Sequence, residues 1–128
     1  DLDLRRAPEY AWSAGFDYTR PVGDGEFRWN TIFRYVDKYT TCIVADAALQ
    51  AQGVITNDRR CLAADREILD STVSYKHDFG GVAATFSVFG RNLFDNRGIS
   101  STLPVAGLFA FAIVRPPRQI GAELMIEF

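Results

Sequence analysis

Histidine, methionine and cysteine are scarce in this chain: one, one and two among 128 residues. With His77 the sole histidine, no Cys/His cluster has zinc spacing. No serine or cysteine has a base placed beside it in a recognisable pattern, which argues against nucleophilic catalysis. Gly23-Asp24-Gly25 and Gly80-Gly81 read as hairpin turns rather than phosphate loops. Neither an enzyme, a cofactor nor a metal site is therefore expected. Basic surplus is lacking too. Fourteen Lys and Arg against sixteen Asp and Glu leave a formal charge of −2, with no footprint for nucleic acid. No apolar run approaches the ~20 residues of a membrane helix, and mean hydropathy is near zero. That excludes a spanning helix only, because a barrel strand alternates and keeps its average low. DLDLRRAPEY carries no initiator Met and no basic segment followed by an apolar one. A mature protein or a piece of a longer one is expected.

Aromatics are plentiful, with ten Phe, five Tyr and two Trp, and they fall in alternating segments. The last eleven residues, Arg118 to Phe128, place Ile120, Ala122, Leu124, Ile126 and Phe128 on one parity. Gln119, Gly121, Glu123, Met125 and Glu127 take the other. This is a strand with one apolar face, and it has the length of about 9–11 residues that a transmembrane strand needs. An edge strand of a soluble sheet would read the same way.

Four further strands are predicted. Tyr10 to Thr19 alternates Tyr10, Trp12, Ala14, Phe16 and Tyr18 with small and polar residues. The turn Pro21-Val22-Gly23-Asp24-Gly25 leads to Glu26–Tyr39, with Phe27, Trp29, Thr31, Phe33 and Tyr35 on one face. Glu67–His77 and Val82–Leu93 form a second pair around Asp78-Phe79-Gly80-Gly81. Phe89 interrupts the polar parity of Val82–Leu93, which admits a β-bulge there. Two long connections remain, residues 40–66 and 95–117. Ala45 to Gln52 has room for a helical turn, and Gly107 to Val114 is apolar enough to extend a neighbouring strand or pack inside. Both cysteines, Cys42 and Cys61, lie in the first connection. A disulfide there would contribute roughly 3 kcal/mol by loop entropy; two free thiols are the alternative.

Connections that run short, long, short, long give an all-β, antiparallel, up-and-down meander of about five strands, as in an outer-membrane barrel. The aromatic parity would face lipid. The opposite parity carries Asp17, Arg28, Asn30, Arg34, Lys38, Lys76, Arg91 and Glu123. Arg or Lys facing hydrocarbon at mid-depth costs about 2–4 kcal/mol, so these charges are expected to face a wet or plugged lumen. There Asp17, Asp70 and Glu123 would pair with Arg28, Arg34 or Arg91 rather than do acid–base work. In the loops, Arg59-Arg60 and Arg97 have the charge to meet an anionic solute, although solvated loop charges need no such role.

Asn92-Leu93-Phe94-Asp95 at a strand end resembles the NLFD motif near the carboxy-terminus of TonB-dependent outer-membrane receptors. A loop from Asn96 to Pro116, the approach Pro117-Arg118 and a last strand closing on Phe128 follow in that family's order. Leu4-Arg5-Arg6-Ala7-Pro8-Glu9-Tyr10 is similar to the family's approach to an earlier strand. The resemblance covers residues 1–128 and rests on order and spacing more than on any single motif. It implies a plugged barrel of about 22 strands, of which this chain supplies the carboxy-terminal part. It further implies residence in the outer membrane of a Gram-negative bacterium and import of a scarce, large solute such as a ferric siderophore. The implied partners are outer-membrane lipid and, through Phe128, the barrel-assembly machinery. Contact with TonB is implied only through an amino-terminal region that these residues do not contain, and the solute is not specified. Five strands cannot close a membrane barrel, since the smallest use about eight. Alone, they would expose two edges and an apolar face to water.

Two other readings stand beside this one. A porin-like barrel would lack the upstream plug. A secreted β-sandwich binding module, stapled by Cys42–Cys61, would bury Trp12, Trp29 and Phe86 against a second sheet.

Overall fold

The computed structural model describes residues 7–41, 62–105 and 109–128, with side chains placed for 7–41, 62–101 and 111–128. Among the described residues every regular element is a strand. They are β1 (Ala11–Val22), β2 (Gly25–Val36), β3 (Tyr39–Thr40), β4 (Leu62–Ala63), β5 (Arg66–Asp78), β6 (Ala83–Arg91), β7 (Ile99–Val105), β8 (Phe109–Val114) and β9 (Gln119–Glu127). Five of them build one antiparallel sheet in the order β1-β2-β5-β6-β9. The order follows the sequence, so the sheet is a meander. It is open, with β1 and β9 at its edges.

Local chemistry explains the tight turns. Gly23 takes φ of +60° between β1 and β2, a conformation open to glycine at little cost. Between β5 and β6 the Asp78 carboxylate accepts the amides of Gly80 (2.8 Å) and Gly81 (3.2 Å). The Phe79 amide donates to the Val82 carbonyl at 2.9 Å and closes the bend. Both short turns fall where expected, but the first is tighter than the predicted Pro21–Gly25: β1 runs on through Pro21 and Val22, and β2 already begins at Gly25.

Other strand features also differ from expectation. The second strand stops at Val36 instead of reaching Tyr39. Asp37 turns the chain there, its carboxylate accepting the Lys38 amide at 2.8 Å and its own amide donating to Tyr10 at 2.9 Å. Tyr39 and Thr40 instead pair with Ala63 and Leu62 as a small ribbon. The connection 95–117 is not irregular throughout: β7 and β8 form a separate antiparallel ribbon, with a register shift between Ile99 and Ser101. Of the apolar stretch Gly107 to Val114, the described part Phe109–Val114 pairs with β7 and not with the five-stranded sheet. Pro104 is tolerated because a two-stranded ribbon leaves outer edges without ladder bonds. Finally, β6 has no bulge at Phe89. It pairs with β9 without interruption from Ala83↔Glu127 to Arg91↔Gln119. The Ala45–Gln52 helical turn and both cysteines lie outside the described residues.

The chain divides into two compact units. One contains most of the five-stranded sheet: residues 13–34, 67–96 and 117–128. The other contains residues 1–12, 35–66 and 97–116, with the two ribbons. In the second unit Ala63 and Thr41 are buried, and Ala63 is the one buried apolar side chain among the described residues. The sheet has no interior of that kind. It is a single layer held by its ladder and by contacts along each face.

Phe89 shows how one such contact works. It pairs across the ladder with Gly121, and a Cβ added at Gly121 would meet the Phe89 ring at 2.6 Å. The ring therefore covers a glycine, which accounts for an aromatic on the polar parity. Gly121→Val is expected to destabilise the folded protein by about 1–3 kcal/mol through overpacking, measured by urea unfolding. The same substitution in a Phe89→Ala background should cost less than half as much. Equal costs in the two backgrounds would contradict this packing.

Candidate functional site

The sheet offers two chemically distinct faces. Direct cross-strand partners share a face, so the ladders β5–β6 and β6–β9 define rows. Val73, Val88 and Ala122 form one row. Tyr75, Phe86 and Leu124 form the next, and His77, Ala84 and Ile126 a third. Phe16 meets the edge of Trp29 on the same parity, with ring centroids 4.8 Å apart. Polar atoms on this face find partners within it. The Trp29 indole donates to Ser71 Oγ at 3.0 Å, and Ser71 shares a 2.8 Å hydrogen bond with Thr31. The Tyr75 hydroxyl donates to the Val22 carbonyl at 3.0 Å. It crosses Gly25, where any Cβ would strike it. Such satisfaction is what a low-dielectric neighbour demands. Trp12, Trp29 and Phe86 are 53%, 40% and 52% exposed. The sandwich reading required these three to be buried, so it loses its support.

The other face is ionic. Asp17 accepts Arg28 Nε at 3.1 Å and Asn30 Nδ2 at 3.2 Å. Arg34 pairs with Asp70, and Lys76 Nζ lies 3.2 Å from Glu127 Oε2. Ser74, Ser87 and Glu123 form a polar row, and Arg91 lies over the Phe89 ring at 5.5 Å. All three pairs are partly solvent-exposed, so each contributes modestly. Their common placement on one face is the informative point. Asp17, Arg28, Asn30 and Arg34 are thus drawn into pairs, while Arg91 and Glu123 share the face without joining them.

At the end of β6 the four-residue motif becomes a polar corner. Asn92 and Asp95 have φ of +50° and +55°, left-handed values that Asn and Asp tolerate best among residues with a Cβ. The Asp95 amide donates to the Asn92 carbonyl at 2.8 Å. The Asn92 side chain brackets Asn96, accepting its amide at 3.0 Å and donating to its carbonyl at 3.2 Å. Asp70 of β5 accepts the Asn92 amide at 2.8 Å with one oxygen while the other holds Arg34. Asp95 accepts the Arg118 amide at 2.9 Å, immediately before β9 begins. The apolar residues of the motif pack locally. Leu93 fills the space above Gly90, and Phe94 meets Phe33 edge-on with centroids 6.1 Å apart. Pro117 leads into Arg118, and Phe128 projects fully exposed beyond β9.

Sequence reasoning missed Arg115. It lies in the ribbon unit and is only 8% exposed. Its guanidinium donates to the carbonyls of Ala64 (2.9 Å), Asp65 (3.2 Å) and Ile99 (3.4 Å), and its amide to Gly98 at 3.2 Å. Burial, reinforced by nearby Arg66, lowers its pKa below the usual arginine value. The available signal was its position, a lone charge between the apolar run Phe109–Val114 and Pro116-Pro117. The described residues contain no group of three or more His, Cys, Asp or Glu side chains able to hold a metal ion.

No family model, no curated protein and no solved structure matches this chain.

Arg115→Met keeps the aliphatic stem but leaves three carbonyls without their donor. A loss of about 1–3 kcal/mol is expected, localised to the ribbon unit. Hydrogen exchange should show faster exchange of β7 and β8 amides and unchanged protection across β6–β9. Uniform loss of protection would contradict that localisation.

Proposed function

We propose that this chain is the carboxy-terminal part of an outer-membrane β-barrel of the TonB-dependent receptor type, a transporter segment rather than an enzyme. The observation that carries the reading is the division of one sheet into an exposed aromatic-aliphatic face and an opposite ion-paired face. In a barrel the aromatic-aliphatic face meets lipid hydrocarbon and the ion-paired face lines the lumen. Tyr10, Trp12, Trp29, Tyr35 and Phe128 supply parts of the interfacial girdles. The open edges of β1 and β9 support the reading, because only closure removes such edges in a membrane. The motif Asn92-Leu93-Phe94-Asp95, the approach Pro117-Arg118 and the terminal Phe128 support the receptor family within the class of barrels. In that family the solute is large and scarce, as a ferric siderophore is, and import is driven through an amino-terminal region that contacts TonB. Phe128 would be read by the barrel-assembly machinery.

Fractionation of the full-length chain in a Gram-negative host tests this proposal. It should appear in the outer membrane as a heat-modifiable band, with a plug domain encoded upstream of Asp1. Recovery as a monomer from the periplasmic fraction would overturn it. Outer-membrane recovery without an upstream plug would assign the chain to a porin-like barrel instead.

A further inference from the structure

We infer that the polar corner at Asn92–Asp95 is a register lock for β9. This inference concerns how the last strand is placed and is independent of what the full-length protein carries. β9 follows a connection of more than twenty residues that contains its own ribbon, so no tight turn sets its alignment on β6. In a hairpin the turn fixes register; here another device must do so. Asp95 supplies it by accepting the Arg118 amide one residue before β9 starts. The next residue, Gln119, begins the ladder opposite Arg91, the residue that ends β6 and immediately precedes Asn92. The corner thus clamps both chain segments at the first rung.

The clamp is itself held from outside. Asn92 grips Asn96 through both side-chain groups, which fixes the path leaving the corner. Asp70 holds the Asn92 amide, and the Leu93 amide donates to the Leu69 carbonyl at 2.8 Å, so the corner is tied to β5. Arg34 of β2 occupies the second Asp70 oxygen. The corner that aligns the last strand is thereby held by groups on two earlier strands, β2 and β5. The consequence of failure is large. A slip of one residue would turn Leu124 and Ile126 onto the ionic face and Glu123 and Glu127 onto the apolar one. A slip of two keeps the faces but carries Gly121 away from the Phe89 ring that covers it.

Disulfide trapping in the full-length chain tests the lock, with Cys42 and Cys61 replaced by serine. Ser87→Cys with Glu123→Cys reports the native register, and Ser87→Cys with Met125→Cys reports a slip of two. Ser74→Cys with Ser87→Cys reports the β5–β6 hairpin independently. In an Asn92→Ala/Asp95→Ala background the native-to-slipped ratio should fall about tenfold, the scale of losing a charge-assisted hydrogen bond. The Ser74–Ser87 crosslink should persist. Asp95→Asn, which retains an acceptor oxygen for Arg118, should keep most of the native ratio. An unchanged ratio in the double variant would overturn the inference. So would loss of the β5–β6 crosslink together with the native β6–β9 one, since the corner would then be holding the hairpin rather than registering β9.

Discussion

In a single-layer sheet all side chains of one parity must share one neighbour, because no second layer separates them. That constraint governs the five-stranded sheet. One parity brings together Trp29, Val73, Val88, Phe86 and Leu124, all of them exposed on the sheet's surface. The other brings together Asp17, Arg28, Asn30, Arg34, Asp70, Lys76 and Glu127, most of them in pairs. The hydrogen bonds of Trp29, Thr31 and Ser71 on the apolar parity obey the same logic, since they leave few polar atoms in need of water.

A two-faced sheet works only if every strand is in register, and the strands achieve this by different means. β1 with β2 and β5 with β6 rely on two short turns shaped by Gly23, Gly80 and Gly81, with Asp78 capping the second. β9 arrives after a long connection and is met by Asp95. In the ribbon unit, Arg115 gathers carbonyls from several segments, so that the ribbons have a polar centre where the sheet has none. Sheet and ribbon unit are therefore stabilised by different chemistry, the one by ladder and face contacts, the other around a buried cation and Ala63.

Much of the sheet was legible because period-two alternation is a strong signal in long segments. The strands around Trp12, Trp29, Val73, Phe86 and Leu124 were readable from side-chain order alone, as were both short turns. Legibility failed where short-range chemistry overrides alternation. Tyr39 continues the pattern of β2, yet the Asp37 side chain turns the backbone before it. Phe89 reads as a break in the pattern until Gly121 is known to lie opposite, and that pairing joins residues 32 apart. The ribbon β7–β8 was hidden because an apolar run carries no periodicity of its own. Arg115 and the double role of Asp70 depend on contacts between distant segments, and neither leaves a local trace. The corner stands between these cases. Its four residues were conspicuous as a motif, while their work, bracketing Asn96 and receiving Arg118, required the fold.

The account stands on the two faces of the sheet having different surroundings in the full-length protein. Spin labels at Leu124→Cys and Glu123→Cys, placed in turn in the full-length chain reconstituted in lipid with Cys42 and Cys61 removed, compare adjacent residues on opposite faces. Collision with oxygen, which partitions into hydrocarbon, should dominate at position 124, and collision with a water-soluble nickel complex at position 123. Equal access of the nickel complex to both positions would contradict the account.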